Sequence, residues 1–400
     1  MKHSLKKLTL LCLLASLQFS ASAQVSDDAV VIGFITDLSG VYADIDGLGG
    51  VAAIEMAIAD VGGKVLGKPI VLLTADHQNK ADIASSRARE WMDKNNLDAI
   101  FGGVNSATAF AINRLANEKK RVYFNVSSGA SRLANEECSA YAVHYSYDSA
   151  SLARGTGATI VKDGGKSWYF LTADYAFGKS LEDEVGTVVK ENSGSVIGGA
   201  RHPLNTSDFS SFLLQAQSSG ATVLGIASAG GDAQNALRTA KEFGINKMKM
   251  AALAMTVNDV HGLGLNIAQG LIMTDHWYWD LNDKSRAFGR RFFSTQKKMP
   301  TSLQAADYSA VRTYLKAIEI SGTDNPEKVM ATLKKMKIDD SYNKGYIRED
   351  GRFVHDMYVL QAKSPTESKA PWDYLRLLRA VPGEEAFRPP VVSRCSLLKK

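Results

Sequence analysis

Two short clusters of small polar residues are the part of this sequence best suited to bind a small molecule. The first is Asn105-Ser106-Ala107 and the second is Ser127-Ser128-Gly129, and each closely follows a short apolar run. Hydroxyl groups and free backbone amides at such positions can donate hydrogen bonds to a carboxylate, helped by the positive end of a following helix. Ordinary helix caps and turns use the same residue types, so the clusters alone leave both interpretations open.

Aromatic side chains in other loops are candidates to pack against the apolar part of a ligand. Tyr42 lies in a glycine-rich loop, and Tyr175 and Phe177 lie in the segment TADYAFG. Aromatic pairs contribute about 0.5–1.5 kcal/mol beyond the burial of their area. His144 and Trp277 are further candidates, for which packing in a core is the alternative.

The sequence lacks the common motifs of catalysis and of metal or nucleotide binding. Its seven histidines form no HExxH pattern, and no GxSxG elbow is present. The glycine-rich stretch at 46–50 lacks both the GxGxxG spacing and the lysine of a phosphate-binding loop. We therefore expect a binding protein that is not an enzyme and that needs no cofactor and no metal.

The segments that must position these residues alternate between apolar strands and amphipathic helices. The first round of strands is predicted at 30–35, 69–75, 97–101 and 121–125, and the second at 167–171, 195–200, 222–227, 249–253 and 270–274. Strands that alternate with helices form a parallel sheet covered on both faces. The repeated pattern predicts an α/β fold of two doubly wound lobes, and ligands of such sheets bind beyond the carboxyl ends of the strands.

The N-terminus has the pattern of a secretory signal peptide. Lys2, Lys6 and Lys7 precede an apolar run, and Ala21-Ser22-Ala23 forms a small-residue cleavage site before Gln24. An uncleaved anchor is the alternative, but the run is shorter than the roughly 20 residues that a membrane span needs. Removing three lysines lowers the formal net charge from +5 to about +2, which gives no indication of a nucleic-acid partner.

The cysteines allow one disulfide in the exported chain. Of the three cysteines, Cys12 lies within the signal peptide, and only Cys138 and Cys395 remain after cleavage. Disulfides persist in exported proteins. We predict a Cys138–Cys395 bridge, with two free buried thiols as the alternative.

The order of these features resembles that of a known family. The segments IGFITDLSG, FGGVNSATA, VYFNVSSGAS, TADYAFG, ASAGGDAQNALRTAKEFG and GLIMTDHWYWD follow one another along the chain. In this order the chain resembles periplasmic solute-binding proteins of the branched-chain-amino-acid-binding class, the capture subunits of ABC importers. The resemblance covers nearly the whole mature chain. It implies the class I periplasmic binding protein fold, in which two lobes joined by three crossings close on a ligand by hinge motion.

The resemblance also implies a division of the chain. Lobe one would comprise residues 24–143 and 277–351, and lobe two residues 144–276 together with 352–400 and its C-terminal tail. The three crossings would lie near 142–145, 275–277 and 351–353.

Individual positions of the family can be placed on this sequence. The carboxylate-binding serine falls on Ser106, the aromatic side chain that closes from lobe two on Tyr175 or Phe177, and an often aromatic position on Ala229. The candidate ligand-binding residues are Tyr42, Asn105, Ser106, Ala107, Ser127, Ser128, Gly129, His144, Tyr175, Phe177, Ser228, Ala229 and Gly230.

This chain departs from the family pattern at the position of the acid that would pair with an α-ammonium. The acid should lie near 254–256, where this chain has Ala254, Met255 and Thr256. A buried ammonium without an acidic partner is costly, so the resemblance favours a carboxylate with an apolar or aromatic body and no ammonium. Asp232 and Asp259 are alternative partners for an ammonium.

These observations predict a periplasmic monomer that captures a small organic acid for an inner-membrane ABC permease, without inserting into the membrane. A branched-chain amino acid or an amide is the alternative ligand. A sensory subunit that passes its ligand-bound state to a membrane receptor is the alternative role.

Overall fold

The computed structural model describes residues 25–398, so the predicted signal peptide lies outside the described residues. The strands are Val30–Thr36 (β1), Lys64–Val65 (β2), Lys68–Asp76 (β3), Ala99–Gly102 (β4), Val122–Asn125 (β5), Ala142–His144 (β6), Ser167–Ala173 (β7), Ser195–His202 (β8), Val223–Ala227 (β9), Lys249–Ala252 (β10), Ile272–Asp275 (β11), Lys337–Asp339 (β12), Lys344–Ile347 (β13), Phe353–His355 (β14), Met357–Ala362 (β15) and Leu375–Val381 (β16). The α-helices are Gly47–Ala59 (α1), Ala81–Lys94 (α2), Ser106–Lys119 (α3), Ser149–Leu152 (α4), Ala158–Lys162 (α5), Ala176–Glu191 (α6), Ser210–Ser218 (α7), Gly230–Glu242 (α8), Val257–Leu263 (α9), Leu265–Ala268 (α10), Asp283–Gln296 (α11), Ser302–Ser321 (α12), Pro326–Leu333 (α13) and Gly383–Ala386 (α14).

The first sheet has the strand order β2-β3-β1-β4-β5-β6 and is parallel except for the β2–β3 hairpin. Every residue of β1 is buried, as its continuous apolar run predicts. The chain passes from β1 to β3 on one side and returns to β4 on the other. The strand order therefore reverses between β1 and β4, and the crevice at their carboxyl ends is a place where ligands of such sheets bind.

The second sheet has the order β16-β15-β11-β10-β9-β7-β8. Strands β7 to β11 are parallel to one another. Strand β15 runs antiparallel to β11, and β16 runs antiparallel to β15. The strand order reverses at β7, which has β8 on one side and β9 on the other. Strand β16 is absent from the sequence prediction because most of its side chains are exposed, and so it has no buried apolar run.

Helices α11, α12 and α13 pack on the first sheet, although they follow the second sheet in the chain. Trp277, Phe288, Val311 and Val329 share one buried cluster with Phe34 of β1. The chain thus passes from the first lobe to the second after β6, returns after β11, and passes again between β14 and β15.

The C-terminal tail crosses back to the first lobe after β16. The predicted disulfide is present: it joins Cys138 and Cys395, whose Cα atoms lie 5.6 Å apart. The backbone N–H of Arg394 also donates to Oδ1 of Asn135 at 2.5 Å, and Arg394 forms an ion pair with Glu136 at 3.2 Å. The end of the tail is therefore held on the first lobe.

A candidate ligand-binding cleft between the lobes

The two points of strand-order reversal face each other across the cleft between the lobes. In the first lobe, the loop of Tyr42 follows β1, and the N-terminus of α3 follows β4. In the second lobe, Tyr175 follows β7 and Ala229 follows β9. This topology brings together candidate residues that are up to 187 positions apart, from Tyr42 to Ala229.

Direct hydrogen bonds join the two sides of the cleft. The Tyr42 hydroxyl donates to the Tyr175 hydroxyl at 2.6 Å, and the backbone N–H of Gly231 donates to the carbonyl of Val41 at 3.2 Å. Gly230 has a φ of +58°, and a Cβ at this position would lie 2.4 Å from the Val41 carbonyl oxygen. Glycine is therefore required at position 230 for this approach of the lobes.

A small cavity of about 30 Å³ lies in this cleft. It is lined by Ile45, Tyr147, Leu152, Ala229, Ala254, Met255, Thr256, Asp259, Thr274, Asp275, His276, Ser302 and Leu303. Of the candidate residues, Ala229 lines this space, and its small side chain leaves the second-lobe wall open. The other candidate residues are not part of its lining.

The two polar clusters of the first lobe meet, as their position at neighbouring strand ends predicts. The hydroxyls of Ser106 and Ser128 share a hydrogen bond of 2.8 Å, and both residues are fully buried. Asn105 caps α3, because its Oδ1 accepts from the backbone N–H of Ala107 at 2.8 Å. The remaining first-turn amides of a helix have no acceptor within the helix, so this end of α3 can donate to an anion.

Ser127 is engaged by the core of the first lobe. Its hydroxyl donates at 2.8 Å to Oδ2 of Asp46, which also accepts from the Thr36 hydroxyl at 2.5 Å. Burial raises the pKa of Asp46, and burial together with the neighbouring Asp46 carboxyl raises the pKa of Asp307 well above its usual value. The Ser127 hydroxyl is thus engaged by the buried carboxyl pair of Asp46 and Asp307. The hydroxyls of Ser106 and Ser128 are the ones in the two clusters that can form a hydrogen bond to a ligand.

His144 and Trp277 are placed behind the site. The His144 ring donates through Nε2 to the carbonyl of Ser128 at 2.8 Å, and burial lowers its pKa well below the usual value. The indole of Trp277 donates to the carbonyl of Ser341 at 2.8 Å and packs against Phe288. Neither ring lines the cavity: His144 supports the serine cluster, and Trp277 belongs to the core.

Tyr147 is a residue of the site that the sequence interpretation did not include. Its ring lies parallel to that of His276, with the centroids 5.4 Å apart, and its hydroxyl donates to the carbonyl of Ser127 at 3.3 Å. A Cβ on Gly129 would lie 2.5 Å from this ring and 2.6 Å from the ring of Phe177. Tyr147 follows β6 closely, so its place just after a strand was the signal that could have identified it.

Two buried acids also line the cavity. Oδ1 of Asp275 accepts from the backbone N–H of His276 at 2.8 Å, and burial raises the pKa of Asp275 to about 7. Asp259 closes the capping box of α9, where its Oδ2 accepts from the backbone N–H of Thr256 at 2.8 Å. The segment 254–256 itself carries no acid, but α9 brings Asp259 into the same wall. Asp259, one of the two alternative partners considered for an ammonium, therefore lines the cavity.

The remaining second-lobe candidates stand at the edge of the cavity. The Ser228 hydroxyl is buried without a hydrogen-bond partner among the described residues. Asp232 accepts from the backbone N–H of Asn205 at 3.1 Å, and burial raises its pKa to about 6. Asp232 does not line the cavity, so it is the weaker of the two aspartates considered as partners for an ammonium.

Within residues 25–398, no group of three or more His, Cys, Asp or Glu side chains is arranged to hold a metal ion. Over the same residues, no helix combines the length and the apolar character that a membrane crossing requires. Two α/β lobes with a cavity between facing strand ends define a solute-binding protein of the class I periplasmic fold.

Comparison with known proteins supports this assignment. The chain belongs to the periplasmic binding protein family, whose family model matches residues 29–369. A periplasmic binding protein from Burkholderia mallei is 61% identical, with a TM-score of 0.92 over 93% of this chain and 100% of that one. A branched-chain amino acid ABC transporter periplasmic ligand-binding protein from Burkholderia xenovorans is 40% identical, with a TM-score of 0.83 over 92% of this chain and 100% of that one.

A more distant solved structure has the same fold. It is a solute-binding protein of an ABC transporter from R. palustris in complex with benzoate, 19% identical, with a TM-score of 0.82 over 92% of this chain and 100% of that one. The predicted family, the fold class and the absence of enzymatic activity are confirmed by these relationships.

Proposed function

We propose that this protein is the substrate-binding subunit of an ABC importer and that it captures a small organic acid with an apolar or aromatic body. The observation that carries the proposal is the cavity between the two facing points of strand-order reversal, with the lobes joined above it by the Tyr42–Tyr175 hydrogen bond. A molecule enclosed there contacts both lobes at once, which couples its binding to the closure of the cleft.

The carboxylate of the ligand would bind at the serine cluster of the first lobe. The hydroxyls of Ser106 and Ser128 bond only to each other, and they lie at the N-terminus of α3. An arriving carboxylate would accept from these hydroxyls and from first-turn amides, in the environment that a helix N-terminus provides for anions.

The body of the ligand would lie between apolar walls. Ile45 and Leu303 line the cavity from the first lobe, and Leu152, Ala229 and Met255 line it from the second. The small side chain of Ala229 leaves room for a ring, and the ring of Tyr147 can pack against one. The benzoate complex of the R. palustris protein shows that this fold can enclose such an acid, although its 19% identity supports the fold alone.

An amino acid is the second candidate ligand. The carboxyls of Asp259 and Asp275 line the cavity, and no Lys or Arg stands among the described residues that line it. A buried acid without a cationic neighbour can pair with a ligand ammonium. The description of the B. xenovorans relative as a branched-chain amino acid transporter protein agrees with this alternative.

The partner would be an inner-membrane permease, and the site of action the periplasm after cleavage before Gln24. The B. xenovorans relative is described as part of an ABC transporter, and the family name implies export. We keep the division into residues 24–143 with 277–351 and residues 144–276 with 352–400 as a proposal for the moving lobes.

Isothermal titration calorimetry with benzoate, cinnamate, leucine and valine tests the proposed ligand class. We expect micromolar binding of at least one aromatic acid and no heat from the two amino acids. If leucine or valine binds at micromolar concentration and neither aromatic acid binds, the ligand is an amino acid and not an aromatic acid. Thermal unfolding with each compound gives an independent measurement, because a ligand that binds only the folded state raises Tm.

A further inference from the structure

We infer that Asp275 and Ser302 form a subsite for a hydrogen-bond donor on the part of the ligand that is remote from its carboxylate. The inference rests on the proposed function and narrows it: the ligand is an aromatic carboxylate that also carries a hydroxyl or amino group. The observation behind it is the meeting of a buried carboxyl and a buried, unpartnered hydroxyl in one wall of the cleft cavity.

Asp275 has unused capacity to accept hydrogen bonds. It is the last residue of β11, it is 5% exposed, and it lines the cavity. Its Oδ1 accepts from the backbone N–H of His276 at 2.8 Å, whereas a carboxylate can accept about four hydrogen bonds in all. The Ser302 hydroxyl and the backbone N–H of Trp277 also lie beside this carboxyl, and no described Lys or Arg lines the cavity. A donor on a ligand can therefore use the acceptor capacity that remains.

Ser302 provides an independent observation at the same wall. Its side chain is 2% exposed, its hydroxyl has no hydrogen-bond partner among the described residues, and it lines the same cavity. The preceding Thr301 fixes this position, because its hydroxyl donates to the carbonyl of Ile45 at 2.7 Å. A buried hydroxyl without a partner is uncommon in native proteins, and a polar ligand group in the cavity would supply one.

Asp259 is less suited to this role although it lines the same cavity. Its two oxygens already accept three hydrogen bonds, from the side-chain amide of Gln234 and from the backbone N–H and hydroxyl of Thr256. These bonds close the N-terminus of α9, so a ligand would compete with the helix cap. Asp275 is therefore the acid that we assign to ligand recognition.

Tyr147 lies between the two polar ends of the site. Its hydroxyl reaches the carbonyl of Ser127 in the serine cluster, while its ring stacks on His276, the neighbour of Asp275 in the chain. The ring of Tyr147 therefore bridges the serine cluster and the segment that carries Asp275. A benzoate lying along Tyr147 with its carboxylate at Ser106 would direct a hydroxyl or amino group on the far side of its ring towards Asp275.

Calorimetry with a set of matched acids tests this inference. The probes are benzoate, 3-hydroxybenzoate, 4-hydroxybenzoate and 4-aminobenzoate, titrated into the wild type and into Asp275→Leu, which keeps a similar volume but cannot accept a hydrogen bond. Asp98→Asn is the matched control, because Asp98 is also a buried acid but lies at the opposite end of the strands, where it accepts from the backbone N–H of Val31. Asp275→Asn keeps an acceptor and provides a second variant if the leucine variant fails to fold.

We expect the wild type to bind one of the substituted acids about 10- to 150-fold more tightly than benzoate, the range for a hydrogen bond to a charged group. Asp275→Leu should lose this preference, measured as the ratio of the affinity for the substituted acid to that for benzoate in the same variant. Asp275→Asn should reduce the preference, and Asp98→Asn should keep it in full. Equal affinities for all four acids, or a preference that survives in Asp275→Leu, would overturn the inference and leave the proposed function standing. If none of the four acids binds and leucine does, the proposed function and the inference are both overturned.

Discussion

At the scale of single residues, the site combines side chains that are tied to the fold with a few that are free to meet a ligand. Ser127 donates to Asp46 and His144 donates to Ser128, so both of them hold the walls of the site in place. The hydroxyls of Ser106 and Ser128, which bond to each other, can exchange that bond for one to a carboxylate. The serines that we propose to bind the ligand are therefore in direct contact with, or next in sequence to, residues that hold the walls.

Replacing Ser106 tests the carboxylate end of the site. We expect Ser106→Ala to weaken binding of the carboxylate ligand by about 10- to 150-fold, because a hydrogen bond to a charged group contributes roughly 1.5–3 kcal/mol. Calorimetry measures the change, with Ser85→Ala on the exposed side of α2 as the control. An unchanged dissociation constant for Ser106→Ala would show that this serine does not bind the ligand.

The buried Asp275 carboxyl makes a prediction about pH. Burial raises its folded-state pKa to about 7, above its ordinary value near 3.8, so ionisation of Asp275 destabilises the folded protein as the pH rises from about 4 to about 7. Asp275→Asn removes this effect. The Tm of Asp275→Asn minus the Tm of the wild type should therefore be close to zero at pH 4, increase between pH 4 and pH 7, and stay constant above pH 7.

Thermal unfolding of both proteins between pH 4 and pH 8 measures this difference. Asp28→Asn is the control, since the Asp28 carboxylate is fully exposed, and its Tm should follow the wild type at every pH. A difference between Asp275→Asn and the wild type that stays constant with pH would show that Asp275 does not ionise in this range.

At the scale of elements, the C-terminal tail links parts of the fold that the parallel sheets leave separate. Strand β16 extends the second sheet, α14 packs near the third crossing, and the last residues reach the first lobe. The guanidinium of Arg352, at that crossing, lies 4.3 Å from the ring centroid of Phe387, so the tail also covers a buried charge. The tail therefore forms a fourth connection between the lobes, in addition to the three crossings.

Removing the disulfide tests how much the tail contributes to stability. The double variant Cys138→Ser/Cys395→Ser frees a loop closed over a sequence separation of 257 residues, and loss of a native disulfide costs typically about 2–5 kcal/mol. We expect a lower midpoint of denaturation in guanidinium chloride. The wild type measured with a reductant should behave like the double variant, whereas equal midpoints with and without the bridge would mean that it adds no stability.

At the scale of the whole molecule, closure of the lobes depends on a small number of polar contacts. The hydroxyls of Tyr42 and Tyr175 bond across the cleft at 2.6 Å, and Gly231 donates to Val41 beside them. These contacts form only when the two points of strand-order reversal approach each other. They therefore stabilise the closed arrangement relative to an open one.

A double-mutant cycle tests this contribution. Tyr42→Phe and Tyr175→Phe should each weaken ligand binding by up to about tenfold, because each removes the same hydrogen bond of roughly 0.5–1.5 kcal/mol. The double variant should bind no more weakly than either single variant, and its radius of gyration in X-ray scattering should exceed that of the wild type in the absence of ligand. Tyr141→Phe is the control, since the Tyr141 hydroxyl bonds to Glu327 within the first lobe. Additive losses would show that the two hydroxyls act independently.

The sequence by itself determined the class of fold and placed two polar clusters at neighbouring strand ends. Apolar runs that alternate with amphipathic helices predict parallel sheets, and the strand ends that carry Ser106 and Ser128 are local features that need no tertiary information. Export and the two remaining cysteines likewise sufficed to predict the Cys138–Cys395 bridge, which the structure contains.

Only the tertiary structure decided which side chains face one another across the cleft. Asp275 comes from β11, Ser302 from the start of α12 and Tyr147 from the first crossing, so the wall that they share has no counterpart in any continuous stretch of sequence. Strand β16 was missed because an edge strand with exposed side chains has no buried periodicity. Local patterns report which face of an element is buried, whereas the contacts between lobes depend on where the chain crosses from one to the other, and no local pattern records that.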